Sequence, residues 1–232
     1  MKRTKVLALV LAVSIMLMGA GYAAWTDSFT VQNTVTTSKL DMQIDNAYFY
    51  DGDNLGEPQR AWTEATIVSR DANSLVVTAS DLYPGADVRL DIYASNHSNV
   101  PVNFTSANVE YIEGDWALFN ELTARGGIAY DTDGPGTKFA AVHQSFGYNQ
   151  DPAKNKLVNL NANLQPALAN MVLHENGTLY FDDTNDHCIR FGLPITAGNE
   201  FQEKSVKFRI TFNFGQPTPA AGLPIPTASV PQ

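Results

Sequence analysis

The feature that most restricts the fold of this chain is a two-residue period in its apolar side chains. In residues 206–214 every second residue is apolar and those between are polar. Because successive side chains of a β-strand point to opposite faces, this pattern predicts a strand with one buried and one solvated face. Strand patterns also occur at residues 40–49, 75–79, 88–94, 102–112 and 188–195. The chain is therefore expected to be built mainly of β-sheet.

Turn and helix signals complete the predicted architecture. Tyr83-Pro84-Gly85 places proline and glycine where a type II turn requires them. The polar composition of residues 96–101 predicts a loop. Apolar residues at helical spacing occur at residues 116–125 and again at 165–174, where Pro166 lies near the expected helix start. Many short strands and two short helical insertions predict an all-β fold, a jelly-roll β-sandwich.

The amino terminus has the three parts of a secretory signal peptide. A basic start precedes an apolar run at residues 6–18, and small residues follow at Gly21 and Ala23. This run of 13 residues is shorter than the roughly 20 that cross a bilayer. We expect cleavage between Ala23 and Ala24 and a secreted mature protein. An uncleaved anchor is the alternative, because the apolar stretch can be extended to Trp25.

Charge and cysteine content limit the partners and the means of stabilisation. The net charge is −9, and it becomes −12 when Lys2, Arg3 and Lys5 leave with the signal peptide. Such an acidic chain is a poor ligand for nucleic acid. Cys188 is the single cysteine, so no intramolecular disulfide can form. The hydrophobic core must therefore hold the fold together.

The segment after the expected cleavage site, residues 24–38, has the pattern of an interaction strand. One side of the extended chain carries Trp25, Phe29, Val31 and Val35, and the other side is polar. A strand at a free terminus can pair within its own sheet, or it can complete the sheet of a neighbour. The second contact is head-to-tail and would extend into a filament. The pattern leaves both arrangements open.

Several segments resemble the TasA/camelysin family of secreted bacterial proteins. Residues 21–27, GYAAWTD, and residues 38–42, SKLDM, are similar to the family's cleavage site and first strand. Residues 82–87, LYPGAD, resemble its Pro-Gly-Asp turn, with the aspartate displaced by one place. Residues 91–102 and 205–214 are also similar, whereas residues 114–179 align with nothing in the family.

The resemblance implies a jelly-roll subunit of biofilm-matrix or cell-surface fibres, cut by a SipW-type signal peptidase. Its N-terminal strand would be donated to the next subunit, with Trp25, Phe29, Val31 and Val35 as the assembly residues. The expected partners are further copies of the chain, the peptidase and an accessory matrix protein. The expected segments are a signal peptide (1–23), a donor strand (24–38), a jelly-roll domain (39–215) and a disordered proline-rich tail (216–232).

Enzymatic function is the main alternative, because the camelysin branch has been classed with metallopeptidases. None of the four histidines, His97, His143, His174 and His187, lies four residues from another, so the spacing that puts two zinc ligands on one helical face is missing. Cys188 begins an apolar run, which favours a small core residue over a nucleophile. We therefore predict a non-enzymatic protein without catalytic residues. A monomeric surface-binding module is the third hypothesis.

Acidic turns are the remaining candidates for a metal site. Asp131 with Asp133, and Asp51 with Asp53, alternate oxygen ligands with turn residues, which suits calcium. The glutamate that closes an EF-hand loop is missing after both. The acidic residues between 182 and 187 are predicted to form a solvated loop. No cofactor is expected, and calcium at these turns is the alternative.

Overall fold

The computed structural model describes residues 39–50, 63–131, 141–181 and 188–217, all within a unit that spans Ser38–Gln232. These residues form ten strands and two α-helices. The strands are β1 (Met42–Tyr50), β2 (Glu64–Arg70), β3 (Ser74–Ser80), β4 (Asp87–Asn96), β5 (Asn103–Gly114), β6 (Thr123–Asp131), β7 (Ala141–Phe146), β8 (Thr178–Phe181), β9 (Ile189–Gly192) and β10 (Ser205–Gly215). The helices are α1 (Trp116–Glu121) and α2 (Leu160–Leu168).

The strands form two antiparallel sheets. The larger has the order β1-β4-β8-β6-β7, and β9 pairs with β4 and β6 alongside β8. The smaller has the order β2-β3-β10-β5. In the smaller sheet, β3, β10 and β5 are neighbours. In the larger sheet, β4 is followed by β8 and β9 side by side, then by β6 and β7. This is the strand order of a jelly roll in which β8 and β9 share one strand position. The predicted all-β sandwich with two short helices is confirmed.

The core lies between the two sheets and is rich in phenylalanine. In β10, Val206, Phe208, Ile210 and Phe212 are buried, as the alternating pattern predicts. The ring of Phe208 meets Phe191 of the larger sheet with 5.7 Å between centroids. Such contacts join the two sheets into one hydrophobic core.

Helix α2 lies where a full jelly roll has an eighth strand, beside β5. The Ala107 amide donates to Asn161 Oδ1 at 2.8 Å, and Gln165 Nε2 donates to the Thr105 carbonyl at 2.5 Å. Asn161 and Gln165 are four residues apart, so both amides lie on one face of the helix. They satisfy backbone groups that a strand would otherwise pair with, and they protect this sheet edge.

The opposite side of the sandwich is closed by β1 and β2. The Ile44 amide donates to the Ala72 carbonyl at 2.6 Å, and Arg70 donates to the Asp45 carbonyl at 2.7 Å. The pairing of β1 with β4 shifts between Ile44 and Asn46, as at a β-bulge. Such an irregularity bends a strand, and here the hydrogen bonds join the edges of the two sheets.

Both helix predictions need correction. The first helix ends at Glu121 rather than residue 125, because β6 begins at Thr123. The second begins at Leu160, so Pro166 lies inside it and residues 169–174 lie beyond it. Buried leucines at every fourth position fix this helix: Leu160, Leu164 and Leu168.

Several strand predictions also change. The run predicted at residues 188–195 is a strand only over Ile189–Gly192, and β2, β6, β7 and β8 were not predicted. Residues 114–179, which the resemblance does not cover, supply two strands of the larger sheet and both helices. This region is therefore integral to the sandwich.

Asp115 caps helix α1 and gives a testable pH dependence. Its carboxylate accepts from the Leu118 amide at 2.7 Å and lies 2.7 Å from Lys204 Nζ. Lys204, and then the Leu118 amide, lower the pKa of Asp115 below its ordinary value of 3.8. A lowered pKa stabilises the fold above the unfolded-state pKa, and this stabilisation is lost as the pH falls through the folded-state value.

We therefore expect Asp115→Asn to unfold at lower urea than the parent at neutral pH, with the difference vanishing in acid. Urea midpoints measured across a pH series test this. Lys204→Met should show the same convergence. A difference that does not change with pH would contradict the role assigned to this ion pair.

Several expectations fall on residues outside the described ranges. These are the signal peptide with Ala23 and Ala24, the donor segment with Trp25, Phe29, Val31 and Val35, and the tail beyond Pro217. Within the described ranges, no helix is both long and apolar enough to span a membrane.

Candidate functional site

A cleft of about 420 Å³ opens at one end of the larger sheet. Its floor comes from the ends of β4, β6 and β9, and its walls come from residues 85–86, from residues within 147–155 and from residues 193–195. The floor requires close backbone contact: a Cβ on Gly192 would lie 2.3 Å from the Ala86 carbonyl oxygen. Glycine at this position therefore lets β4 and β9 approach each other at the base of the cleft.

The predicted type II turn forms one wall. The Ala86 amide donates to the Tyr83 carbonyl at 2.9 Å, and Gly85 has a φ of 83°. Glycine adopts this left-handed conformation without a steric penalty. The Gly85 amide also donates to the Leu193 carbonyl at 3.0 Å, which joins two walls of the cleft.

Asparagine side chains hold the opposite wall. Asn155 Oδ1 accepts from the Asn149 backbone amide at 2.9 Å and from its Nδ2 at 3.0 Å. Asn155 Nδ2 donates back to the Asn149 carbonyl at 2.9 Å, and Asn149 Nδ2 also donates to Asn163 of α2 at 2.9 Å. This network fixes the loop that carries Tyr148, a residue that is 56% exposed.

Charged groups lie on the floor. Arg125 donates to Asp87 Oδ2 at 3.0 Å, and Arg125 faces Arg190 in the strand register. Thr123 Oγ1 donates to the Gly192 carbonyl at 2.9 Å. The cleft thus combines guanidinium, carboxylate and amide groups with an exposed aromatic ring. This chemistry suits the binding of a polar ligand.

The structure places some of the predicted residues away from this cleft. Cys188 is fully buried, as expected of a small core residue. His97 lies 2.8 Å from Asp45 near β1, and His143 is on β7. In the ranges described, no three histidine, cysteine or acidic residues come together in a group able to hold a metal ion.

Of the four aspartates predicted to bind calcium, the structure describes Asp131. Asp131 ends β6 and accepts a hydrogen bond from the Tyr180 hydroxyl at 3.3 Å. Asp133, Asp51, Asp53 and residues 182–187 lie outside the described ranges. Calcium binding at these turns stays a prediction.

The cleft was not predicted from the sequence. Its residues come from segments far apart in the chain, and only the topology brings them together. A local signal was present in residues 147–155, GYNQDPAKN, where asparagines, a proline and a tyrosine follow a glycine. Such a composition indicates a structured surface loop, although it does not reveal what the loop faces.

The sequence was also compared with known proteins. No protein-family model matches it, and no curated protein matches it. The resemblance to the TasA/camelysin family therefore stays a prediction based on the motifs quoted above.

Proposed function

We propose that the mature chain is a secreted structural subunit of extracellular fibres, in a matrix or at a cell surface. Each subunit donates residues 24–38 as a strand to the next copy. Trp25, Phe29, Val31 and Val35 form the apolar side of that strand. The fold supports the proposal because an antiparallel sandwich can accept an extra strand at a sheet edge.

The observation that carries the proposal is the unequal protection of the sheet edges. The edge of β5 is covered by amides of α2, and at the opposite side Arg70 of β2 and the Ala72 carbonyl that follows it hydrogen-bond to the backbone of β1. Strand β7 ends the larger sheet, and in the described part of the chain no strand pairs with its outer edge. It borders α2. We infer that the donor strand of a neighbouring subunit adds at β7.

The proposal predicts that assembly needs residues 24–35. Negative-stain electron microscopy should show filaments of the chain 24–232 and only dispersed particles of the chain 36–232. The reason is that the shorter chain has no apolar strand to donate. Circular dichroism should give similar spectra for both, since the sandwich comprises later residues.

A matched pair of variants separates strand chemistry from chain length. Phe29→Ser with Val31→Ser should prevent filaments, whereas Ser28→Ala with Thr30→Ala, on the polar side of the same segment, should leave them unchanged. Filaments from the truncated chain would contradict strand donation. Dispersed particles from every version would contradict a homopolymer. Peptidase activity that a chelator abolishes would favour the metallopeptidase hypothesis instead.

A further inference from the structure

The cleft at the end of the larger sheet has the size and the lining of a small-molecule site. Its volume of about 420 Å³ lies within the range of roughly 300–1,000 Å³ that is usual for such sites. We propose that it binds a neutral hexose unit of a saccharide. This proposal concerns a second function, and it does not depend on fibre assembly.

The ion pair on the floor supplies a donor beside an acceptor. Arg125 and Asp87 are 3.0 Å apart, and the Arg125 side chain is 47% exposed. A guanidinium has five N–H donors and a carboxylate has about four lone-pair sites, so their mutual contact does not exhaust either group. Adjacent hydroxyls of a sugar ring each donate and accept, and they therefore match a guanidinium next to a carboxylate.

An aromatic side chain at the rim supplies the apolar contact. Tyr148 is 56% exposed and lies in the wall that also carries Pro152. The C–H face of a pyranose ring can pack against an aromatic ring, and the tyrosine hydroxyl can remain solvated. Ile195, which is 83% exposed, and Pro194 add apolar surface on the opposite wall.

The wall that carries Tyr148 is ordered before any ligand arrives. Asn149 and Asn155 exchange hydrogen bonds between side chain and backbone, and Asn163 ties the loop to α2. Ordering a loop on binding reduces affinity, so a wall that is already fixed removes part of this cost. Gly147, with a φ of 73°, allows the sharp turn from β7 into the loop.

The net charge of the chain and the hydrogen-bonding groups of the cleft favour a neutral sugar over an acidic one. The chain carries a net charge of −9, which disfavours the approach of an anion. Inside the cleft, the guanidiniums of Arg125 and Arg190 lie beside one carboxylate, that of Asp87, which engages Arg125. A neutral hydroxyl group can hydrogen-bond to both Asp87 and Arg125, whereas a carboxylate, which only accepts, can bond to the guanidinium alone.

Saturation-transfer difference NMR on the mature chain 24–232 tests the proposal, because it works for filaments as well as for monomers. The probes are methyl glucoside, methyl galactoside and methyl mannoside, with methyl glucuronide as the acidic comparison. We expect saturation transfer to at least one neutral glycoside. Tyr148→Ala and Arg125→Ala should each weaken its affinity by about tenfold, through loss of ring contact and of charged hydrogen bonds.

Trp116→Ala is the matched control, since Trp116 is 59% exposed and does not line the cleft. It should leave the affinity unchanged. Because Tyr148 is a surface residue, its replacement should not unfold the chain, which circular dichroism can verify. Saturation transfer to none of the neutral glycosides overturns the proposal. Transfer to methyl glucuronide alone, or an unchanged affinity in Tyr148→Ala, also overturns it.

Discussion

The Asn96→Asp variant is expected to lose about 3–5 kcal/mol of unfolding free energy at neutral pH, the usual effect of an uncompensated buried charge. Asn96 has no exposed surface. Its Nδ2 donates to the carbonyls of Val100 at 2.8 Å, and of Leu173 and His174 at 3.1 Å each. A carboxylate in this place would direct negative charge at three carbonyl oxygens.

The substitution removes only the hydrogen bonds that the side chain donates, because aspartate keeps an oxygen that accepts. Asn96 Oδ1 accepts from the Ser98 amide at 3.0 Å and from its hydroxyl at 2.5 Å, and an aspartate oxygen can accept both. The Asn96 backbone also bonds to Gly177 and Asn176. One residue thus joins the end of β4 to two loops, which explains the large expected effect.

The unfolding free energy of this variant, relative to the parent, should fall as the pH rises, which is the opposite of the usual effect of a carboxylate. Burial and the facing carbonyls raise the pKa of the introduced carboxyl above its unfolded value of about 3.9. The variant should therefore be closest to the parent below that value and should lose stability as the pH rises through the raised folded-state pKa. Urea unfolding of both chains across a pH series measures the difference.

Asn108→Asp, at an exposed position on β5, is the matched control and should stay close to the parent at every pH. A loss for Asn96→Asp below about 1 kcal/mol, the net value of one ordinary hydrogen bond, would show that Asn96 does not tie these loops together. A loss independent of pH would show that burial of charge is not its cause.

The Phe208→Ala variant is expected to be destabilised by about 3–5 kcal/mol, as when a buried aromatic ring is removed from a close-packed core. Phe208 is fully buried in β10. Its ring lies 5.7 Å from that of Phe191 in the opposite sheet and 6.2 Å from that of Phe119 in α1. The cavity would open where the two sheets and the helix meet.

Such a loss is a large part of the roughly 5–15 kcal/mol by which a domain is stable. It can be measured as a reduced urea midpoint with an unchanged denaturant slope. Val68→Ala, at a position 54% exposed on β2, should change stability by no more than about 0.5 kcal/mol. Equal effects of the two substitutions would contradict the assignment of Phe208 to the core.

Alternation of apolar and polar residues predicted β10 correctly, although β8, whose side chains also alternate in burial, was missed. Strand β10 shows this alternation clearly, whereas β6 reads TARGGIAYD and is buried along most of its length. Its side chains are covered on both faces, so its sequence does not alternate, and its two glycines lower its β-propensity. The sequence predicts helix α2 too late, because Pro166 favours a helix start whereas tertiary contacts of the preceding leucines determine the helix.

The buried role of Asn96 and the residues of the cleft were harder to predict than the strands. Asn96 begins a segment with the composition of a polar loop, and nothing in the local sequence shows that its side-chain amide is buried among backbone carbonyls. Arg125 and Asp87 are 38 residues apart in the chain, and their pairing follows from β6 and β4 lying on either side of β9. Contacts of this kind depend on sheet order, which local periodicity does not contain.

The amide groups of Asn161 and Gln165 on the β5 edge have a consequence for the material such subunits would form. A subunit that offers one acceptor edge and one donor strand has two connections, so it can only extend a thread. A second open edge would let two subunits attach to the same copy and would introduce branch points into the thread. Because helix α2 covers the edge of β5 in place of a strand, it would keep the proposed polymer linear.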